Sequence, residues 1–200
     1  MKFSGERIFN VFLGCSFIFW AIAGWFVDEN RSIIRLSISL LNLSLGLLIL
    51  FRVQAKRLGN PVDILKSLPS LIIGGMMFRL SVALPEWSMI SVSIFMIGMM
   101  ITLASFITLG RSFSILPQVR PIVTKGLYRF VRHPGYLGEL LLIIACFIAS
   151  ESLLISGICF ALFIPFIAWR ILVEETLLSQ EVLYLAYMDQ VKWRMLPGVW

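Results

Sequence analysis

Apolar residues dominate six stretches of the chain: residues 8–27, 33–51, 68–84, 87–109, 134–150 and 153–169. Short polar segments rich in Arg, Lys, Gly and Pro separate them. The first four approach the roughly 20 residues that an α-helix needs to cross a bilayer. The last two are shorter. At about 1.5 Å rise per residue a helix of that length spans about 25 Å, less than the roughly 30 Å hydrocarbon core. They are predicted to form a hairpin that crosses only partly, turning at Ser150-Glu151-Ser152. None of the stretches shows the strict alternation of a barrel strand, and backbone amides in lipid must pair within their own segment, so helices are the expected spanning elements. The pattern predicts an all-α polytopic membrane helix bundle of five to six transmembrane segments. The first stretch is about as long as a membrane crossing and lacks a small-residue cleavage site after it, so it is expected to remain as a helix.

Composition sharpens this picture. With 59% hydrophobic and 14% charged residues among 200, and a mean hydropathy of +0.93, the chain has too little polar surface to coat a water-soluble globule. Its formal charge of +6 is unevenly placed. One connector carries Arg52, Lys56, Arg57 and Lys66 against Asp63, and another carries Arg111, Arg120, Lys125, Arg129 and Arg132 with no acid. The alternate turns hold Asp28 and Glu29, then Glu86, then Glu151. Such asymmetry places the basic connectors and both termini on the cytoplasmic side, and the excess charge reflects topology, not a nucleic-acid surface. Cys15, Cys146 and Cys159 all lie in apolar runs and read as small buried hydrophobes. With a single histidine in the chain, no metal site is expected.

That histidine, His133, sits in the densest polar cluster: Lys125-Gly126-Leu127-Tyr128-Arg129-Phe130-Val131-Arg132-His133-Pro134-Gly135-Tyr136-Leu137-Gly138-Glu139. Imidazole, phenols and cations gathered at one end of an apolar helix need an aqueous or liganded face. A second polar group, Trp169-Arg170 with Glu174-Glu175, closes the sixth stretch. Arg170 and Glu174 are four apart, so a helix puts them on one face; alone, they read as an interfacial ion pair. A hairpin of the fifth and sixth stretches brings the two clusters together. Arg79, within the apolar run 74–84, either snorkels to the interface or has a functional partner.

Together these clusters carry a resemblance. Gly110-Arg-Ser-Phe-Ser, Ile122-Val123-Thr124-Lys-Gly126-Leu-Tyr128, Arg132-His133-Pro134-Gly135-Tyr136-Leu-Gly138, Arg170 with Glu174-Glu175, Tyr184-Leu-Ala-Tyr187 and Arg194-Met-Leu-Pro197-Gly198 resemble, in order, the isoprenylcysteine carboxyl methyltransferase family. The Arg-His-Pro-x-Tyr piece also occurs in membrane sterol reductases and phospholipid N-methyltransferases; the ordered set favours the methyltransferases. The resemblance covers the last ninety or so residues, dividing the chain into N-terminal transmembrane helices (1–109) and a methyltransferase catalytic region (110–200). It implies S-adenosyl-L-methionine as methyl donor, a lipid-like or prenylated substrate arriving from the membrane, and a pocket facing the cytoplasm. It further implies cofactor contacts at Gln118, Arg120, Pro121, Ile122, Val123, Tyr128, His133, Pro134, Gly135, Tyr136 and Glu174, substrate binding at Arg170, and catalytic roles for Arg170 and Glu174. Two departures stand out: the 113–123 loop is shorter than in eukaryotic members, so spacing from Gly110 places Gln118, and Arg120 stands where a histidine is often found.

The residue chemistry agrees with that expectation. A sulfonium donor is a cation that an aromatic face attracts, and Tyr128, Tyr136 and Glu174 supply rings, hydroxyls and a carboxylate. The donor's own carboxylate would meet Arg129, Arg132 or a helix N-terminus. An acceptor carboxylate is already ionised at neutral pH, so positioning by Arg170 is expected in place of acid–base chemistry by His133. The stretch 171–190 has helical spacing of apolar residues and is expected to lie along the membrane surface over the pocket, and the tryptophans near segment ends suit an interfacial belt. Two other readings stand beside this one: an NADPH-dependent membrane sterol or lipid reductase, and a non-enzymatic lipid-binding membrane protein.

Overall fold

The computed structural model describes residues 3–26, 32–82 and 87–200; the acidic turns at Asp28, Glu29 and Glu86 lie outside the described residues. Apolar runs become helices where polar caps end them. Ser32 accepts from the amide of Arg35 and Ser88 from that of Ser91, each satisfying an orphaned donor of a first turn. Between these caps run α1 (Phe3–Phe26), α2 (Ile33–Phe51), α3 (Pro61–Val82) and α4 (Met89–Leu109). α5 (Pro134–Ala149), α6 (Leu153–Leu178) and α7 (Val182–Gln190) follow. Five of the described helices are long and apolar enough to cross a membrane, and α5 is a shorter apolar helix. Their outward faces expose large apolar side chains such as Phe12, Phe19, Ile107 and Leu154. The fold is a multi-pass membrane helix bundle.

Two boundaries differ from expectation. α3 begins at Pro61, well before residue 68, because Asn60 Oδ1 accepts from the amide of Asp63 at 2.8 Å and Pro61 suits a first helical position. It continues through Pro69, alongside which Ser67 and Ser70 hydroxyls donate to the carbonyls of Asp63 and Ser67. α6 does not stop at Trp169 but runs on to Leu178, 26 residues in all, about 39 Å at 1.5 Å per residue. Its charged residues find partners within the protein, so the helix has no need to end at the interface. The stretch 171–190 is accordingly split between the end of α6 and α7, with a break at 179–181. Arg79 lies exposed in the last turn of α3, where its long side chain suits snorkelling. Trp87 is more than a belt residue: its Nε1 donates to the carbonyl of Ser81 at 3.1 Å and its ring meets Phe95 edge-on.

α4 and α5 pack most extensively, α3 lies against α6 and α5, and α1 pairs with α2. Small residues permit the closest approaches, since helices in lipid associate by van der Waals packing. A Cβ on Gly138 would lie 2.2 Å from Thr102 Oγ1 and 2.8 Å from its backbone nitrogen. One on Gly98 would lie 3.0 Å from the carbonyl of Gly138. Gly14 and Gly46 form the same kind of contact between α1 and α2. Ile143, Phe163, Ile167 and Met77 fill the layer between α3, α5 and α6, while Phe95, Met99 and Leu142 fill that between α4 and α5.

The basic connectors meet on one face. β1 (Arg57–Leu58) pairs antiparallel with β2 (Gln118–Val119), and Arg111 Nε donates to the carbonyl of Phe51 at the C-terminus of α2. Gly126, at φ 60°, occupies backbone space that favours glycine, and its α-carbon faces the Thr108 side chain.

Replacing Gly138 with Leu should force α4 and α5 apart and lower the thermal midpoint in detergent by several degrees, as overpacking costs about 1–3 kcal/mol or more. Gly75→Ala, whose methyl meets nothing within 4 Å, should leave the midpoint within a degree or two or raise it. Differential scanning fluorimetry of both variants checks this; equal midpoints would contradict the close crossing.

Candidate functional site

The loop before α5 is held by one buried carboxylate. Glu175 Oε1 accepts from Arg132 Nε at 2.7 Å and stands 3.2 Å from His133 Nε2, while Oε2 accepts from Arg194 Nε at 2.7 Å. Arg132 Nη1 also donates to the carbonyls of Val191 and Lys192. The amides of Arg132 and His133 donate to the carbonyls of Trp193 and Arg194 at 2.9 and 2.7 Å. Loop, α6 and C-terminal segment are thus one unit. Arg132 lends Nε and Nη1 to these partners while also lining the neighbouring cavity, and Arg129 is exposed.

One turn away, the fifth and sixth helices bring their other polar groups together. Tyr136 Oη donates to Glu174 Oε2 at 2.6 Å, and the Arg170 guanidinium lies over the Tyr136 ring at 4.9 Å. Arg170 and Glu174 do not close on each other as a simple i,i+4 pair. Arg170 Nη2 donates instead to the carbonyl of Ile115 at 2.7 Å, and Nη1 stands 3.6 Å from Glu139 Oε2. Arg170 is 4% exposed, and its Nε and Nη1 have no hydrogen-bond acceptor. A buried guanidinium with unspent donors is costly unless an anion completes it.

These groups line a cavity of about 760 Å³. Gln118, Arg120, Pro121, Ile122, Val123, Tyr128, His133, Gly135, Tyr136, Arg170 and Glu174 all contribute to its wall. Pro134 does not; it is buried at the first turn of α5. An apolar arm of the same cavity runs between Phe9, Leu13 and Phe17 of α1, Ile38 and Leu41 of α2, and Leu71 and Phe78 of α3. α7 covers the polar end: Tyr187 Oη donates to the carbonyl of Tyr128 at 2.6 Å, and Tyr184 is buried beside it. Burial pushes the phenols of Tyr128, Tyr184 and Tyr187 well above the ordinary tyrosine value, so all three stay neutral hydrogen-bonding groups.

The same arrangement marks where comparison with known proteins is informative. Residues 71–182, from mid α3 to the start of α7, match the phospholipid methyltransferase family. The chain belongs to that family. Within it, the chain is 36% identical to protein-S-isoprenylcysteine O-methyltransferase A of Arabidopsis thaliana, over 48% of this chain and 52% of that protein. The chain therefore spans about half the length of the curated relative it matches. Among solved structures, it aligns with the eukaryotic intramembrane Ras methyltransferase, isoprenylcysteine carboxyl methyltransferase, over 96% of this chain and 73% of that chain, at 19% identity and a TM-score of 0.48.

Several site residues escaped the sequence. Glu175 sits beside Glu174 with no local signal to single it out, yet it organises the loop. Glu139 is three residues after Tyr136 on α5, a spacing that shares a helix face and was a readable signal. The Arg170–Ile115 contact joins residues 55 apart, and no local pattern announces it.

Glu175→Gln removes the charge that three donors share. Breaking a buried ion pair costs about 3–5 kcal/mol, so the variant should melt well below the wild type in detergent; an unchanged midpoint would refute the structural role.

Proposed function

We propose that the protein is an S-adenosyl-L-methionine-dependent methyltransferase that O-methylates a carboxylate of a lipid-like substrate of the isoprenylcysteine type. The observation that carries this reading is Arg170: a buried guanidinium with two nitrogens lacking a hydrogen-bond acceptor, one of them 3.6 Å from Glu139, in a cavity that continues as an apolar arm between the helices. A carboxylate attached to a long apolar chain satisfies both features at once. The family match and the O-methyltransferase named for the Arabidopsis relative support the same chemistry.

The polar end suits a sulfonium nucleoside. Tyr184 Oη is buried without a hydrogen-bond partner and lines the cavity beside Glu174 and Tyr128, offering a hydroxyl, a carboxylate and aromatic faces for a cationic nucleoside. When bound, S-adenosyl-L-methionine would supply an activated methyl group. Gln118, Arg120, Pro121, Ile122, Val123, Tyr128, His133, Pro134, Gly135, Tyr136 and Glu174 are the residues proposed to hold it, Pro134 by setting the backbone of the first turn of α5.

The protein's task in such a displacement is alignment and exclusion of water. Arg170 would hold the acceptor carboxylate by its charge and by a hydrogen bond from Nε, while Nη2 stays on Ile115 and Nη1 near Glu139. Its stacking on Tyr136 and its bond to Ile115 restrict its movement. Tyr136, through its bond to Glu174, ties the acceptor-holding arginine to the donor-holding carboxylate. No base is needed, because the acceptor is already ionised. His133, bonded to Glu175, is a positioning element of the loop.

The basic connectors, joined by β1 and β2, share one face, and their charge directs that face to the cytoplasm. Residues 110–200 carry most of the proposed machinery, with the N-terminal helices supplying the apolar arm. On the alternative reading as an NADPH-dependent reductase, NADPH and not S-adenosylhomocysteine would stabilise the protein.

Purified protein given labelled S-adenosyl-L-methionine and an N-acylated farnesylcysteine should form a base-labile methyl ester. Arg170→Ala and Glu174→Gln should each lower kcat/KM by about 100-fold or more while the protein still inserts. Absence of transfer to any carboxylate in a host lipid extract, or full activity in Arg170→Ala, would overturn the proposal. For orientation, Lys125→Cys should react with an impermeant maleimide only after cells are opened; labelling of intact cells would reverse the assigned side.

A further inference from the structure

A second pair of buried arginines lines the cavity away from Arg170. Arg120, following β2, is 3% exposed, and Arg52, at the C-terminus of α2, is 9% exposed. Arg120 Nη2 bonds to Gln118 Oε1 at 2.5 Å and to Glu6 Oε1 at 3.1 Å, and Arg52 Nη2 bonds to Asn10 Oδ1. These contacts leave Arg120 Nε, Arg120 Nη1 and Arg52 Nε buried with no acceptor. Glu6 is the acid against them, and its side chain is 20% exposed. Burial, and then the proximity of Arg120, push the Arg52 guanidinium down to about 10, against the opposing pull of Glu6. A neighbouring hollow of about 650 Å³ adds Arg7 and Arg111 to the same side.

Two guanidinium groups with three buried nitrogens lacking acceptors and one carboxylate, bonded to Arg120 alone, are incomplete as a structural cluster, since each buried unpaired donor costs free energy. An oxyanion supplies the missing acceptors and the missing charge. Arg132 is spent on Glu175, and Arg170 is held by Ile115, Tyr136 and Glu139, none of which touches this pair in its hydrogen bonds. We propose that Arg52 and Arg120 form a second anion site of the cavity, one that binds a carboxylate or phosphate group separate from the group held at Arg170. Two sources share that chemistry: the amino-acid carboxylate of the methyl donor, and the phosphate of an anionic lipid headgroup at the mouth of the apolar arm. In either case α1 and α2, which lie outside the 71–182 family match, contribute to recognition through Glu6, Asn10 and Arg52.

The test uses the full chain in phosphatidylcholine nanodiscs and reads binding, not turnover. Calorimetry compares S-adenosylhomocysteine with its decarboxylated analogue, and native mass spectrometry compares retention of phosphatidylglycerol with that of phosphatidylcholine. The wild type should favour the anionic member of one pair by roughly tenfold or more, the size expected for charge-assisted hydrogen bonds. Arg52→Gln should bring that ratio close to one, and Arg52→Lys should keep part of it. A preference in the first pair assigns the site to the donor carboxylate; a preference in the second assigns it to a lipid phosphate. The donor arm rests on the function proposed above, whereas the lipid arm does not, so a protein that ignores S-adenosylhomocysteine yet retains phosphatidylglycerol refutes that function and supports this site. No preference in either pair overturns the proposal, as does an undiminished preference in folded Arg52→Gln. Should Arg52→Gln fail to fold, the wild-type ratios and Arg52→Lys decide it.

Discussion

A single buried carboxylate, Glu175, governs the geometry of the polar half of this protein. It gathers Arg132, His133 and Arg194, which come from a loop, a helix start and a C-terminal segment. The loop and the C-terminal segment have little regular structure of their own, and the carboxylate fixes them to the start of α5. A charge taken out of water requires its partners at hydrogen-bonding distance, so the three donors are constrained together. The consequence reaches the neighbouring turn of α6: with the loop fixed, Tyr136 meets Glu174, and Arg170 stacks on Tyr136. The positions of the proposed donor and acceptor groups are therefore set by a residue proposed to contact neither.

The apolar half follows a different rule. In lipid, helices gain little from burying apolar surface against each other, and close packing of small residues decides which faces meet. Gly98 and Gly138 draw α4 and α5 together, and Gly14 and Gly46 do the same for α1 and α2. The two tight pairs leave a space between them, which becomes the apolar arm of the cavity. Polar contacts bridge the α1–α2 pair to the rest, from Arg120 to Glu6 and from Arg111 to the carbonyl of Phe51 at the end of α2, while Arg52 and Asn10 tie α1 to α2. A cavity that is greasy along its length and cationic at its polar ends fits an amphiphile with an anionic group.

Much of this was readable in one dimension. Most helix positions follow from the apolar runs, whereas α3 starts at Pro61 and not at residue 68, because Asn60 caps a more polar first turn. The clustering of His133, Tyr136, Arg170 and Glu174 was legible because both groups flank one short hairpin. What was misread has a common cause. Arg170, Glu174 and Glu175 looked like the polar end of a membrane segment, so α6 was ended at Trp169. In the folded protein their partners come from Glu139, Tyr136, Arg132 and Arg194, and the helix continues.

The sequence by itself determined that the chain is a bundle of membrane helices, because hydropathy and backbone hydrogen bonding in lipid admit little else. It also determined which ends of those helices carry chemistry, because ionisable groups are expensive beside hydrocarbon. Only the tertiary structure decided which charges are spent and which are free. Arg132 is bonded to Glu175, whereas Arg170, Arg52 and Arg120 keep buried nitrogens without a hydrogen-bond acceptor. That distinction depends on hydrogen-bond geometry between segments far apart in sequence, which no local pattern encodes.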